Sequence, residues 1–166
     1  MPIRRLILLS GLVLGILATS PTAAMGAANG TDRPLNGVST GTNTVNLATG
    51  AGTYQGSGQL SLLGAVTTSG VQTITLTGPN TISITGAGTT VAANGDELFS
   101  TGSATGTLSS TGTATVNTVN TVTGGTGRFT GASGTFTITS VSVPVSTVGS
   151  IETLAFTSTT KGQISY

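Results

Sequence analysis

Few side chains in this 166-residue sequence could take part in acid–base or covalent chemistry. Cys, His and Trp are absent, and the charged residues are five Lys or Arg and four Asp or Glu. Thiol chemistry, a Ser-His-Asp triad and a His-based zinc site are therefore excluded. The sequence predicts no catalytic residue, no cofactor and no metal site, and it favours a non-enzymatic role.

Glu152 is the carboxylate with the most informative surroundings. The alternation in "IETLAFT" places it on the same face as Leu154 and Phe156. If that face is buried, the carboxylate needs a partner, and Arg128 is the natural one. Glu152 would then be a polar anchor in an apolar ligand cavity. The alternative, which the rarity of buried charges favours, is a glutamate that reaches out to water from the first turn of its strand.

The cavity interpretation defines a set of candidate ligand-binding residues. Two are the charged pair just described, and three are aromatic residues. The set is Glu152, Arg128, Phe136, Phe156 and Tyr54.

A period of two residues dominates the chain and predicts the strands that would position these side chains. Apolar residues alternate with Thr or Ser in "VQTITLT", "NTISITG", "GTFTITS", "VSVPVST" and "IETLAFT". This pattern is typical of antiparallel strands with one buried face and one wet face. Roughly eight to ten strands at spacings of about 8–12 residues predict an all-β barrel or sandwich.

Turn signals separate the alternating segments. Gly78-Pro79-Asn80 and Asn94-Gly95 are typical hairpin turns, and Gly124-Gly125-Thr126-Gly127 is a third break. Pro144 lies inside a predicted strand and removes a ladder donor, so we expect an edge strand or a bulge there. Val116, Val119 and Val122 are three residues apart, which we interpret as a bulge or a twisted strand.

The N-terminal segment predicts export. Arg4 and Arg5, the apolar run 6–18 and the small residues that follow have the layout of a signal peptide over residues 1–28. We expect a flexible arm over 29–41 and a barrel domain over 42–166. The protein would be secreted, periplasmic or at the cell surface. Without residues 1–28 the net charge is −1, so we expect no nucleic-acid partner and no stable membrane insertion.

The glycine cluster at 124–134 is not a phosphate loop. No Lys follows it, a third spaced glycine is missing, and the next segment is a predicted strand and not a helix. Instead, "TVTGGTGRFTGASGTFTI" resembles the G-G-T-G-x-F-x-x-A-x-G signature of allene oxide cyclase and dirigent barrels and of related small secreted bacterial proteins. The matching residues are Gly124, Gly125, Thr126, Gly127, Phe129, Ala132 and Gly134.

The resemblance implies an antiparallel up-and-down barrel of about eight strands with a calycin-like shape. From residue size, we expect Phe129 to plug one end of the barrel, with Ala132 and Gly134 leaving room for it. Because no family catalytic residue matches, the resemblance transfers no catalytic role to this chain.

Four functional hypotheses remain at this level. The first is a surface-structural module that self-associates through edge strands. The second is a barrel that binds a small apolar ligand. The third is an isomerase-like or coupling-guide protein, which would need Glu152, Tyr54 and Arg128 close together. The fourth, insertion into an outer membrane, is disfavoured by Thr on the outward faces and by few aromatic residues.

Overall fold

The computed structural model describes residues 30–166, which form a closed barrel of eight antiparallel strands in sequential order. The predicted all-β, up-and-down barrel is confirmed, while the predicted signal peptide lies outside the described residues. The strands are β1 (Arg33–Asn46), β2 (Ala51–Leu60), β3 (Gly64–Gly78), β4 (Thr81–Val91), β5 (Glu97–Leu108), β6 (Ala114–Gly125), β7 (Ser133–Val148) and β8 (Ile151–Ser165). Within the described part, no helix is long and apolar enough to cross a membrane.

The strand pairing sets the width of the barrel. One row of paired, inward-facing residues starts at Val45 on β1, passes through every strand and returns to β1 at Leu35, ten residues away. For eight strands, such a stagger implies a tilt of about 35–45° to the barrel axis. A barrel of this size has an interior just wide enough for side chains or one small ligand.

One end of the barrel is closed by apolar side chains around Phe129. A 3-10 turn, Gly127–Phe129, links β6 to β7 and turns this ring into the interior, where it has no exposed surface. The surrounding side chains belong to one buried cluster that also contains Ala132. We call it the plug: Leu35, Leu63, Val66, Leu98, Val122, Phe129, Phe136 and Ile164. The position predicted for Phe129 is confirmed.

Two sequence-based predictions about strands need correction. β1 begins at Arg33, so residues 33–41 belong to the barrel and not to a flexible arm. Their backbone groups pair with β2 and β8, which outweighs the low strand propensity of the glycines in this segment. In β6, Val116 and Val122 face inward while Val119 is 56% exposed, so the strand keeps its period of two without a bulge between them.

Pro144 lies at a bulge, as predicted. The pairing of β7 with β8 shifts register between Pro144 and Ser146. Pairing of β7 with β6 ends at Ser142, so residues 143–148 have only β8 as a neighbour. A proline without an N–H donor on this uncovered edge discourages a further strand from pairing there.

Candidate functional site

The middle of the barrel contains a partly open cavity of about 180 Å³. All eight strands contribute to its lining, because each turns every second residue inward. Three of the predicted candidates, Tyr54, Phe136 and Phe156, line the cavity, whereas Glu152 and Arg128 are not among its lining residues. That they bind a ligand remains a prediction.

One side of the cavity is polar. It is formed by the adjacent strands β7, β8 and β1 and carries a group that we call the serine wall: Ser39, Asn43, Ser140, Ser142 and Ser158. The hydroxyls of Ser39 and Ser158 are 2.7 Å apart, and the Asn43 Nδ2 donates to the Ser142 Oγ at 3.2 Å. Each hydroxyl has one donor and two acceptor sites, so these bonds leave capacity for a further partner.

The opposite side of the cavity carries three isoleucines, beside the polar residues Thr68, Gln72 and Thr90. β3 and β4 contribute what we call the isoleucine wall: Ile74, Ile82 and Ile84. Since β4 lies four strands away from β8 around the ring, the isoleucine wall faces the serine wall. The cavity therefore carries most of its serine hydroxyls on one side and its isoleucine cluster on the other.

Tyr54 crosses the interior above two glycines. A side chain at Gly70 would place its Cβ 2.5 Å from the Tyr54 Oη, and one at Gly88 would contact the same hydroxyl more closely still. Only glycine fits beneath the ring at these two inward positions. Burial raises the pKa of the Tyr54 phenol above its ordinary value, so the phenol stays neutral at physiological pH.

Asn120 lines the cavity next to Phe136 of the plug. It lies on β6 between Gly102 and Phe136 in the pairing, and it is 8% exposed. A Cβ at Gly102 would lie 2.5 Å from the Asn120 Oδ1, so the amide packs directly over that glycine. Its Nδ2 is buried and has no hydrogen-bond partner among residues 30–166. A buried donor without a partner costs about 1–3 kcal/mol, so an acceptor that reached this amide would recover that cost.

Glu152 faces the interior at the end of the barrel opposite the plug. It pairs with Val45, an inward-facing residue that lines the cavity. The side chain is half-buried, and burial raises the pKa of its carboxyl above the ordinary value. Alternation had correctly placed Glu152 on the face of Leu154. The glutamate lies at the rim and not inside the cavity.

We expect Glu152→Gln to raise the melting temperature slightly at neutral pH. A raised folded-state pKa means that protonated Glu152 stabilises the fold below the unfolded pKa of about 4.3, and that this stability is lost as pH rises through the folded pKa. The gain should stay within the roughly 2 °C typical of surface substitutions and vanish near pH 3. Thermal unfolding from pH 3 to 8 measures it, with Glu97→Gln as the charge-matched control. A gain that persists at pH 3 would contradict the burial explanation.

Arg128 lies at the plug end, where it contacts Asp96. Its Nε is 3.7 Å from the Asp96 Oδ2, and its backbone N–H donates to the same oxygen. The hydrogen bond from Asn94 and then the Arg128 contacts hold the pKa of Asp96 below its ordinary value. The guanidinium also lies over the Phe129 ring, with Cζ 4.7 Å from the centroid. These contacts join the Asn94-Gly95 turn to the glycine cluster.

The ion pair that the cavity interpretation would require between Glu152 and Arg128 does not form, because the two residues occupy opposite ends of the barrel. In an up-and-down barrel, consecutive connections alternate between the two ends. Arg128 precedes β7 and Glu152 follows it, so the strand order alone could have separated them. The polar cluster of Glu152, Tyr54 and Arg128 that an isomerase-like activity would need is not assembled. Residues 30–166 also hold no group of three or more potential metal ligands.

The cavity-lining residues that the sequence did not predict are the polar ones that face inward. Asn120 shares its phase with Val116 and Val122, but the three-residue spacing of the valines hid that phase. In β7, the inward face runs from Phe136 and Ile138 to Ser140 and Ser142. The exposed valines of this strand include Val141, Val143 and Val145. The apolar residues of β7 therefore change from the inward to the outward face at Ser140, where the serine wall begins.

Comparison with known proteins finds no match to a family model, to a curated protein or to a solved structure. The class of this protein is therefore defined by its own fold and site: an eight-stranded antiparallel barrel with a plugged end and an internal cavity.

Proposed function

We propose that this protein is an exported, non-enzymatic barrel that binds a small molecule in its interior. The observation that carries the proposal is the cavity of about 180 Å³ inside the barrel, with isoleucines on one side and serine hydroxyls on the other. Ligand sites in proteins are mostly apolar concavities with a few well-placed polar groups, and the mouths of β-barrels are a common location. Export is supported by the signal-like sequence of residues 1–28.

The cavity volume limits the size of the ligand. A cavity of about 150 Å³ is enough to hold benzene, whereas drug-sized ligands occupy about 300–1,000 Å³. The ligand should therefore contain a single ring, or a branched chain of similar volume, with one or two substituents. Tyr54 and Phe156 provide aromatic surface for such a molecule, and both line the cavity.

Benzene is the direct probe of this function. At ten times its dissociation constant, we expect benzene to raise the melting temperature by about 3–6 °C, because it binds only the folded state. The matched substitutions are neighbours on β7. Ser140→Leu fills the cavity and should abolish the rise, whereas Val141→Leu lies on the outward face and should leave it unchanged. Calorimetric titration checks the binding directly. Equal responses of both variants, or no binding of benzene or of any other single-ring probe to the unaltered protein, would overturn the proposal.

A further inference from the structure

The lining residues narrow the chemistry of the ligand, starting with its charge. None of the described residues that line the cavity is Asp, Glu, Lys or Arg. An ion that entered would lose its hydration without meeting a counter-charge, which is strongly unfavourable. Glu152, on the interior face of the rim, adds a nearby negative group that would repel an anion. The cavity therefore selects against charged molecules.

The serine wall and Asn120 argue against a pure hydrocarbon. Ser142 and Ser158 are buried, and both remain able to form further hydrogen bonds after pairing with Asn43 and Ser39. Asn120 is a lining residue of the cavity, and its buried Nδ2 has no partner among residues 30–166. Rotation of an amide about its terminal torsion is soft, so Asn120 can turn either its oxygen or its N–H group toward a ligand.

We propose that the cavity binds an uncharged, ring-sized molecule with a carbonyl or hydroxyl group, which is held by Asn120 and the serine wall while its ring packs on the isoleucine wall. This inference rests on the proposed binding function and specifies its ligand class. An acceptor on the ligand would satisfy the amide donor that has no partner among the described residues. The apolar body would lie against Ile84, whose partner Ala104 is two residues from Gly102, the partner of Asn120.

Four probes built on one ring separate these features: cyclohexanone, cyclohexanol, methylcyclohexane and cyclohexanecarboxylate. Titration calorimetry on the purified protein gives their dissociation constants. We expect cyclohexanone and cyclohexanol to bind at least tenfold more tightly than the carboxylate at pH 7. Methylcyclohexane is the reference for apolar contact alone.

Asn120→Leu tests the role of the amide. It should reduce the affinity ratio of cyclohexanone to methylcyclohexane by about three- to tenfold, as expected for one lost hydrogen bond. Asn117→Leu is the matched control, because it lies on the same strand with its side chain exposed on the outward face, and it should leave the ratio unchanged. If the leucine variant does not fold, Asn120→Ser serves the same purpose with a smaller side chain.

The outcomes separate the two proposals. Binding of methylcyclohexane together with an unchanged ratio in Asn120→Leu would overturn the ligand class and leave the binding function intact. Equal affinity for the carboxylate and cyclohexanol would do the same. If none of the four probes, nor benzene, binds the unaltered protein, both proposals fail.

Discussion

Phe129→Ala should lower the free energy of unfolding by about 3–5 kcal/mol, as is typical for removing a large aromatic ring from a core. The ring has no exposed surface and lies at the centre of the plug. It contacts Tyr166 edge-on, with ring centroids 4.9 Å apart, and it lies beneath the Arg128 guanidinium. Since the neighbouring strands are fixed by barrel closure, they cannot collapse into the space that the ring leaves.

For a domain of this size, the loss corresponds to a fall in melting temperature of about 10–20 °C, which thermal and urea unfolding measure. Phe129→Leu keeps much of the apolar volume and should recover more than half of the loss. Val38→Ala is the control, because it shortens an apolar side chain that is 59% exposed on the outward face of β1 and should cost little stability. A loss below about 1 kcal/mol in Phe129→Ala would show that the plug does not anchor the fold.

Gly134→Ala should also be strongly destabilising, by more than about 3 kcal/mol, because it combines backbone strain with a clash. Gly134 has φ of +133°, a conformation that other residues rarely adopt. A Cβ there would contact the carbonyl oxygen of Gln163 and lie 2.8 Å from the Cα of Ile164, which belongs to the plug. Both obstacles are backbone atoms and cannot rotate away.

Gly124 provides a matched control for this substitution. It has the same φ of +133°, yet a Cβ built on it meets nothing within 4 Å. Gly124→Ala should therefore cost only the strain, about 1–3 kcal/mol. The difference between the two variants in chemical unfolding isolates the close approach of β7 to β8. If the two alanines cost the same, the glycine at 134 serves the backbone conformation and not the packing.

Alternation predicted part of the site from sequence. It placed Phe136, Leu154 and Phe156 on inward faces, and the structure confirms that all three line the interior. Residue size predicted Phe129 as the end plug. Alternation failed in β7, where both faces carry apolar residues, because a period of two does not say which phase faces inward. Closure of the barrel decides that, and it turns Ser140 and Ser142 inward.

The sequence by itself determined the strand class, the turns and the shortage of chemistry-bearing side chains, because these depend on local pattern and composition. Only the tertiary structure decided that Arg128 and Glu152 lie at opposite ends and that Asn120 lines a cavity. The physical reason is that the volume of a cavity is the interior volume of the barrel minus the volume of the side chains that fill it. Strand number and stagger set the volume of the barrel, while the inward side chains from all eight strands set how much of it is filled.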